Sequence, residues 1–301
     1  MRRTLAPLLV LALLVVGTAA CGGDGSDDAK ASTTTAAQTT TSAADTDTST
    51  TAAGGHDHGG GIETEGTKVL QYWVRGDKLA VGANGVDAGT TAIGTGALER
   101  LLEGPARADA LSGMTTLIPE GTELLGLDIS DGTATVDLSS TFVSGGGSMS
   151  MTLRVAQVVF TITQFPTVER VVFHIDGAEP EGLGGEGLPT SYDGRSGFDD
   201  VTPAIVIESP TPYQNVSSPL TISGMANTFE AVVNWSVSST EGSLLKEGTT
   251  TATAGSGTWG TFEVETELPA YQGNVVVTVW EQSGETGSDR TNVYEVLVNL
   301  T

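Results

Sequence analysis

A long polar tract near the N-terminus sets the strongest limit on how this chain of 301 residues can fold. Residues 22–66 consist mainly of Thr, Ala, Ser, Gly and Asp, and Ile62 is their one large aliphatic residue. Such a composition cannot bury enough apolar surface to offset the entropy that ordering would cost. We therefore predict a disordered tether over residues 21–66 and expect the folded part of the chain to follow it.

The segment before the tether has the features of a bacterial lipoprotein signal peptide. Arg2 and Arg3 precede an apolar stretch over residues 5–16, which is shorter than the about 20 residues that a bilayer-spanning helix needs. Small residues then lead directly into Cys21, which resembles a lipobox in which Thr18 replaces the usual Leu. We predict that residues 1–20 are removed and that acyl chains attached at Cys21 hold the protein at the outer face of the cell membrane.

Composition excludes several other classes of protein. The chain has 13 Lys and Arg residues against 37 Asp and Glu residues, a formal net charge of −24, which argues against binding to a nucleic acid polyanion. Its single cysteine excludes an intrachain disulfide framework and a Cys-rich zinc site. We expect a membrane partner through the lipid anchor and no nucleic acid partner.

Residues 67–188 show a mixture of strand and helix patterns. Apolar residues at helical spacing predict helices over residues 93–102 and 148–163, while strands are predicted over residues 69–74, 78–81, 122–129, 133–138 and 168–175. The Asp131-Gly132 pair between two of these strands is a strong hairpin signal. The first folded unit is therefore predicted to be an α+β domain with a small sheet and two helices.

Several motifs in this unit resemble the GerMN domain and keep their order and spacing over about 120 residues. They are Ala97–Pro105 (ALERLLEGP), Ile118–Thr122 (IPEGT), Gln157–Pro166 (QVVFTITQFP) and Val171–Gly177 (VVFHIDG). The resemblance implies an envelope-attached protein of the kind found in sporulation, spore germination and actinobacterial lipoproteins. It implies no catalytic activity.

The remainder of the chain has a different pattern. Residues 189–202 are rich in Gly, Pro, Asp and Ser, which predicts a linker or an extended edge. Beyond residue 203 no helical period is visible, and seven short β-rich runs separated by turn residues predict an all-β sandwich over residues 203–301. Alternation around Trp235 and along Val275, Val277 and Val279 predicts that these side chains form its core.

This second unit also resembles a known module, the immunoglobulin-like domain of bacterial spore germination. The motifs that carry the resemblance are Ile207–Pro210 (IESP), Pro219–Ala226 (PLTISGMA), Phe229–Ala231 (FEA) and Gly257–Phe262 (GTWGTF). In that family the module accompanies GerMN domains, and the resemblance implies a binding or adhesion role.

We considered a catalytic site and predict none. The N-terminal unit contains one histidine, His174, which shares a strand face with Asp176 and could be oriented by it. No Gly-x-Ser-x-Gly elbow is present to supply an activated serine, and Cys21 lies outside the folded units. The alternative reading is a hydrolase or modifying enzyme of cell-wall glycan that uses His174 or paired acids.

Metal, anion and cofactor sites are not predicted either. His56 and His58 in the tether offer two ligands, fewer than the three or four that a structural or catalytic zinc site needs. Asp128 and Asp131 near the hairpin tip lack the ligand spacing of a calcium loop, and we interpret them as turn-forming and solubilising. The glycines at 145–147 precede a helix, where an anion could bind, but we interpret them as a loop.

Aromatic and acidic residues in the second unit allow two further interpretations. Trp259, Tyr271 and Trp280 could stack on sugar rings, although a role in the core or at a strand edge is favoured for each. Glu263, Glu265 and Glu267 alternate along one strand, and such like charges protect a sheet edge from pairing with other chains. The sequence thus predicts a non-catalytic binding or scaffold lipoprotein of the envelope, with an envelope protein or peptidoglycan as its partner.

Overall fold

The computed structural model describes residues 67–86, 92–185 and 187–301. The predicted signal peptide, the lipid attachment site Cys21, the tether and the pair His56 and His58 lie outside these described residues. Within them, no helix has both the length and the apolar character required to cross a membrane.

The described chain begins with a hairpin. Strand β1 (Thr67–Arg75) pairs antiparallel with β2 (Lys78–Val86) through nine consecutive residue pairs, and the turn contains Gly76 at a φ of +67°. The second strand is longer than the predicted run over residues 78–81. Residues 82–86 lack an apolar alternation, so it is their pairing with β1 that keeps them extended.

A second, four-stranded sheet completes the β-structure of the N-terminal domain. Its strand order is β3 (Leu124–Ser130), β4 (Thr133–Leu138), β5 (Arg170–Ile175) and β6 (Ser191–Asp193). Neighbouring strands are antiparallel except for β4 and β5, which run parallel. Asp131 and Gly132 both have positive φ in the β3–β4 turn, which confirms the predicted hairpin.

In the part of the chain that the structure describes, three α-helices pack against these sheets. They are α1 (Ile93–Leu102), the short α2 (Arg107–Leu111) and α3 (Ser148–Ile162). Every residue of α3 from Leu153 to Ile162 is buried, so this helix is enclosed on nearly all sides and not merely along one stripe. The helix α2 was not predicted, because five residues are too few to display a helical period.

Glutamine side chains from α3 and its C-terminal end hold the hairpin in place. Gln164 accepts a hydrogen bond from the Leu70 N–H at 2.8 Å and donates to the Leu70 carbonyl at 2.9 Å. The buried Gln157 donates to the Tyr72 carbonyl at 3.1 Å. Among the described residues, β1 pairs with the strand β2 and with Thr115 through an isolated bridge at Val74, so these side chains satisfy backbone groups that a wider sheet would satisfy.

The C-terminal domain is an all-β sandwich, which confirms the predicted fold class. One sheet has the order β12 (Gly260–Thr266), β9 (Leu220–Ala226) and β7 (Ile205–Ser209). The other has the order β11 (Leu244–Thr251), β10 (Val232–Ser239), β13 (Gly273–Gln282), β14 (Arg290–Leu300) and β8 (Asn215–Val216). All seven predicted strands are present, and β8 is an additional short one that pairs parallel with β14.

The core of the sandwich contains the residues that alternation predicts. Val275, Val277 and Val279 are fully buried, and Trp235 is 6% exposed. The ring of Trp235 lies over Gly248 on the neighbouring strand, where an added Cβ would come within 2.5 Å of the ring. Glycine at this position therefore provides the space that the indole occupies.

Residues 189–202 pack against both domains. Ser191–Asp193 form the edge strand β6, as the extended-edge reading anticipates, while Phe198 and Val201 are buried. Their side chains belong to a hydrophobic cluster that continues from Phe160 of α3 to Ile205 of β7. The two domains thus share one continuous core.

Candidate functional site

An ion pair lies at the centre of the junction between the domains. The Arg195 guanidinium donates to Oε1 of Glu208 on β7 at 2.8 Å, and the Tyr72 hydroxyl of β1 donates to the same oxygen. Burial raises the pKa of Tyr72 well above its ordinary value, so this hydroxyl stays protonated and remains a donor. Arg195 also stacks over the rings of Tyr72 and Phe160, with its Cζ 4.9 Å from each ring centroid.

Contacts between the hairpin and the sandwich reinforce this junction. The Val81 N–H donates to the buried hydroxyl oxygen of Tyr294 on β14 at 3.0 Å. Lys78 donates from Nζ to the Asp200 carbonyl at 2.6 Å. Together with the Arg195 pair, these bonds link the hairpin, residues 189–202 and the sandwich. They restrict how the domains can move relative to each other.

A groove of about 400 Å³ opens at this junction. Its lining comes from the turn-proximal end of β2, from the segment after β6, and from loops and the first part of β14 at one end of the sandwich. The residues that line it are Lys78, Asp199, Thr202, Pro203, Ala204, Asn227, Trp259, Asn292 and Val293. The groove combines an indole ring, apolar side chains and carboxamides, a mixture typical of small-ligand sites.

Hydrogen bonds hold the polar groups of the groove in position. The half-buried Trp259 donates from Nε1 to Oδ1 of Asp199 at 2.8 Å, which fixes the orientation of the indole. The Gly257 N–H donates to Oδ1 of Asn227 at 2.8 Å. Asn292 donates from Nδ2 to Oε2 of Glu281 at 2.6 Å. One polar atom of each carboxamide is thus occupied by the protein itself.

An exposed aromatic residue lies on the same group of loops. Phe229 is 68% exposed, and its N–H donates to Glu281 at 2.7 Å, the same carboxylate that accepts from Asn292. The next two residues, Glu230 and Ala231, both have positive φ. Backbone conformations of this kind cost energy in non-glycine residues and are common at binding loops.

The three aromatic residues considered from the sequence have different surroundings. Trp259 precedes β12 and lines the groove, whereas Tyr271 follows β12 and is half-buried at the opposite end of that strand. Trp280 is 6% exposed, with the Arg290 guanidinium 3.7 Å from its ring centroid. Of the three, Trp259 alone lines the groove, and they do not form one stacking platform.

His174 and Asp176, considered above as a catalytic pair, have different neighbours in the structure. His174 is half-buried on β5, where it pairs in register with Asp137 of β4. Asp176 lies in a turn at a φ of +51° and its carboxylate accepts the Ser140 N–H at 3.0 Å. Asp176 therefore forms part of the turn that follows β5.

The loop with the glycines at 145–147 and the residue Asp131 both have roles within the fold. The buried Arg154 side chain donates hydrogen bonds to the carbonyls of Phe142, Ser144 and Gly145. The carbonyl groups of this loop therefore bind the guanidinium of Arg154. Asp131 forms the β3–β4 turn. Within the described residues no group of three or more potential metal ligands occurs.

The acidic strand is at a sheet edge, as predicted. Strand β12 is the outer strand of the three-stranded sheet, and Glu263 and Glu265 on it are exposed. Glu267 lies just beyond the strand and accepts a hydrogen bond from the Ser218 hydroxyl at 3.0 Å. The charges of Glu263 and Glu265 oppose pairing of this edge with another chain.

The fold defines a two-domain protein in which an α+β domain precedes a sandwich. Residues 64–181 match the family described as sporulation and spore germination (Germane), and residues 204–288 match the immunoglobulin-like domain of bacterial spore germination. The first domain is therefore similar to the GerMN domain, and the second is similar to the immunoglobulin-like domain of bacterial spore germination. Neither family description names an enzymatic activity. Among curated proteins no significant match is found.

Solved structures that resemble the chain include two of GerMN domains. A candidate lipoprotein from Clostridium perfringens is 21% identical with a TM-score of 0.32, over 42% of this chain and 87% of that one. The first GerMN domain of GerM from Bacillus subtilis is also 21% identical, with a TM-score of 0.35, over 42% of this chain and 96% of that domain. The tandem GerMN domains of the same protein are 15% identical with a TM-score of 0.37, over 67% of this chain and 61% of theirs.

Sequence reasoning missed most of the residues that build the junction and the groove. Arg195 lies in a segment rich in Gly, Asp and Ser, where the composition predicts a linker or an extended edge. Asn227 and Asn292 resemble ordinary turn residues. Of the groove residues, the sequence marked Trp259, as one of three aromatic residues that could stack on sugar rings.

Proposed function

We propose that this protein is a lipid-anchored component of the outer face of the cell membrane that binds or organises other envelope components and catalyses no reaction. The lipobox-like sequence ending in Cys21 supports the anchor. The pairing of a GerMN-like domain with an immunoglobulin-like spore germination domain supports a role in the envelope, linked to cell-wall or sporulation and germination assembly.

The observation that carries the binding role is the junction between the domains. Arg195, Glu208 and Tyr72 connect the domains through hydrogen bonds and ring contacts, and the groove that contains Trp259 opens beside this connection. A groove between two domains held in one orientation is a preformed surface, and binding to it requires little ordering. This supports a scaffold or receptor whose binding surface is already formed in the absence of its partner.

Metabolic labelling tests the anchor. The wild-type protein should incorporate a clickable palmitate analogue and fractionate with membranes, whereas Cys21→Ser should incorporate none. Ser26→Ala, a change outside the lipobox, is the matched control and should be labelled like the wild type. Equal labelling of the Cys21→Ser protein would contradict attachment at Cys21.

Retention on envelope fractions tests the binding role. The full chain carrying Cys21→Ser is incubated with isolated peptidoglycan and, separately, with immobilised envelope proteins. We expect retention on one of these fractions and no release of soluble wall fragments. Release of fragments would instead support the alternative of a glycan hydrolase, and absence of retention on either fraction would overturn the proposed function.

A further inference from the structure

We infer that the groove at the domain junction binds a neutral saccharide of the glycan-strand type, with Trp259 as its stacking surface. This inference rests on the proposed function and specifies the chemical class of the ligand. A pyranose ring presents C–H groups on its faces and hydroxyl or amide groups around its edge. A site for it therefore needs an aromatic face together with uncharged donors and acceptors.

The aromatic face is preorganised. The hydrogen bond from Trp259 Nε1 to Asp199 sets the angle of the indole, and Pro203, Ala204 and Val293 supply apolar surface in the same groove. Because the indole is already ordered, stacking a sugar ring on it costs little additional side-chain entropy. The N–H of the indole points to Asp199 and not to the ligand, so the ring contributes through its face.

The two carboxamides of the groove supply complementary polar atoms. Asn227 uses its carbonyl oxygen to accept the Gly257 N–H, which leaves its amide group as a donor. Asn292 uses its amide group to donate to Glu281, which leaves its carbonyl oxygen as an acceptor. A donor and an acceptor, both uncharged and both held by other bonds, suit the hydroxyl and acetamido groups of an amino sugar.

The charges at the groove also favour a neutral ligand. The Lys78 ammonium is directed to the Asp200 carbonyl, and the Asp199 carboxylate is directed to Trp259. The two groups have opposite signs and both are engaged, so neither defines a strong site for an ion. The net charge of −24 opposes anionic polymers such as polyphosphates.

Titration of the full chain carrying Cys21→Ser with soluble β-linked N-acetylglucosamine oligomers tests the inference. We expect saturable binding by calorimetry, together with a change in tryptophan fluorescence. Trp259→Ala should weaken binding about tenfold or more, and Trp259→Phe, which keeps an aromatic face, should weaken it less. Asn227→Ala and Asn292→Ala should each weaken it severalfold.

Tyr271→Ala provides the matched control, because it removes a half-buried aromatic residue at the other end of β12 and should leave the affinity unchanged. A thermal melt of each variant shows whether the fold is retained. If the wild type binds no oligomer, or if Trp259→Ala binds as well as Tyr271→Ala, the inference is wrong. Retention on envelope fractions would then still support the proposed function, and retention of an envelope protein that Trp259→Ala abolishes would assign the groove to a polypeptide.

Discussion

The guanidinium of Arg195 and the carboxylate of Glu208 meet across the domain boundary at 2.8 Å, with about a fifth to a quarter of each side chain exposed. Arg195 also donates to the Phe160 carbonyl and to the Thr163 hydroxyl at the end of α3. Burial lowers the pKa of Arg195, but the neighbouring Tyr72 and Glu208 outweigh it and leave the pKa above its ordinary value. The arginine is therefore charged whenever the protein is folded.

Removing one partner of this ion pair should destabilise the folded protein. We expect Arg195→Met to lower the free energy of unfolding by about 2–4 kcal/mol, because Glu208 then keeps a partly buried charge without its cation. The double variant with Glu208→Gln should recover part of that loss, giving a coupling energy of about 1–2 kcal/mol in a double-mutant cycle measured by urea denaturation. Additive losses would mean that the pair contributes no direct interaction.

The exposed pair of Arg170 and Asp193 is a natural control for this experiment. Its charges are 2.7 Å apart, but the two side chains are 49% and 74% exposed. Water and salt screen such a pair, so Arg170→Met should change the stability by about 0.5 kcal/mol or less. A loss as large as that of Arg195→Met would show that side-chain truncation, and not burial of the pair, determines the effect.

A buried carboxyl in the N-terminal domain should make stability depend on pH. Asp109 is 1% exposed and accepts a hydrogen bond from the indole of Trp73 at 2.9 Å. Burial raises its pKa from 3.8 to about 6. The folded state therefore binds this proton more tightly than the unfolded state, and stability is retained below pH 3.8 and falls as the pH rises through 6.

The variant Asp109→Asn removes this titration. Relative to the wild type, its free energy of unfolding should increase by about 3 kcal/mol between pH 3.5 and pH 8, because only the wild type loses stability over this range, as measured by denaturation at each pH. Parallel pH profiles of Asp109→Asn and the wild type would contradict a raised pKa at Asp109.

The glutamine that holds the hairpin should matter for stability. Gln164→Leu keeps most of the side-chain volume but leaves the N–H and carbonyl of Leu70 without their partner, and we expect a loss of about 2 kcal/mol. Hydrogen exchange at the Leu70 amide should become faster. Gln282→Leu, which removes an exposed bond to the Asp289 carbonyl, should be nearly neutral. Unchanged exchange at Leu70 would rule out the proposed role of Gln164.

Close packing between strands makes one glycine of the sandwich difficult to replace. A Cβ at Gly224 would lie 1.9 Å from the Val206 carbonyl oxygen, so Gly224→Ala must separate β7 from β9. We expect a loss of about 3 kcal/mol in thermal or chemical denaturation. At Gly284 an added Cβ has no neighbour within 4 Å, and Gly284→Ala should be nearly neutral. Similar stabilities of the two variants would contradict this account.

Local patterns predict most of the elements of this fold. The helices α1 and α3, the hairpin at Asp131-Gly132 and the seven strands of the sandwich all follow from periodicity and turn residues. These signals are local because burial of one face repeats every two or 3.6 residues along a strand or helix. The short α2 and β8 contain too few residues to show such a repeat.

The site could not be predicted in the same way, because it depends on residues that are distant in sequence. Trp259 meets Asp199 across 60 residues, and Tyr72 meets Glu208 across 136 residues. No periodicity in the sequence indicates which side chains come into contact when two domains pack together. The composition of residues 189–202 predicts a linker or an extended edge, and it does not indicate that Arg195 and Phe198 lie at the junction.

The position of the hairpin has a mechanical consequence. Strand β1 is the first described segment of the chain, and it contacts both α3 through Gln164 and the sandwich through Tyr72. Tension transmitted from the chain before Thr67 would therefore reach both domains in parallel. The segment over residues 189–202 would not have to carry the whole load between the two domains.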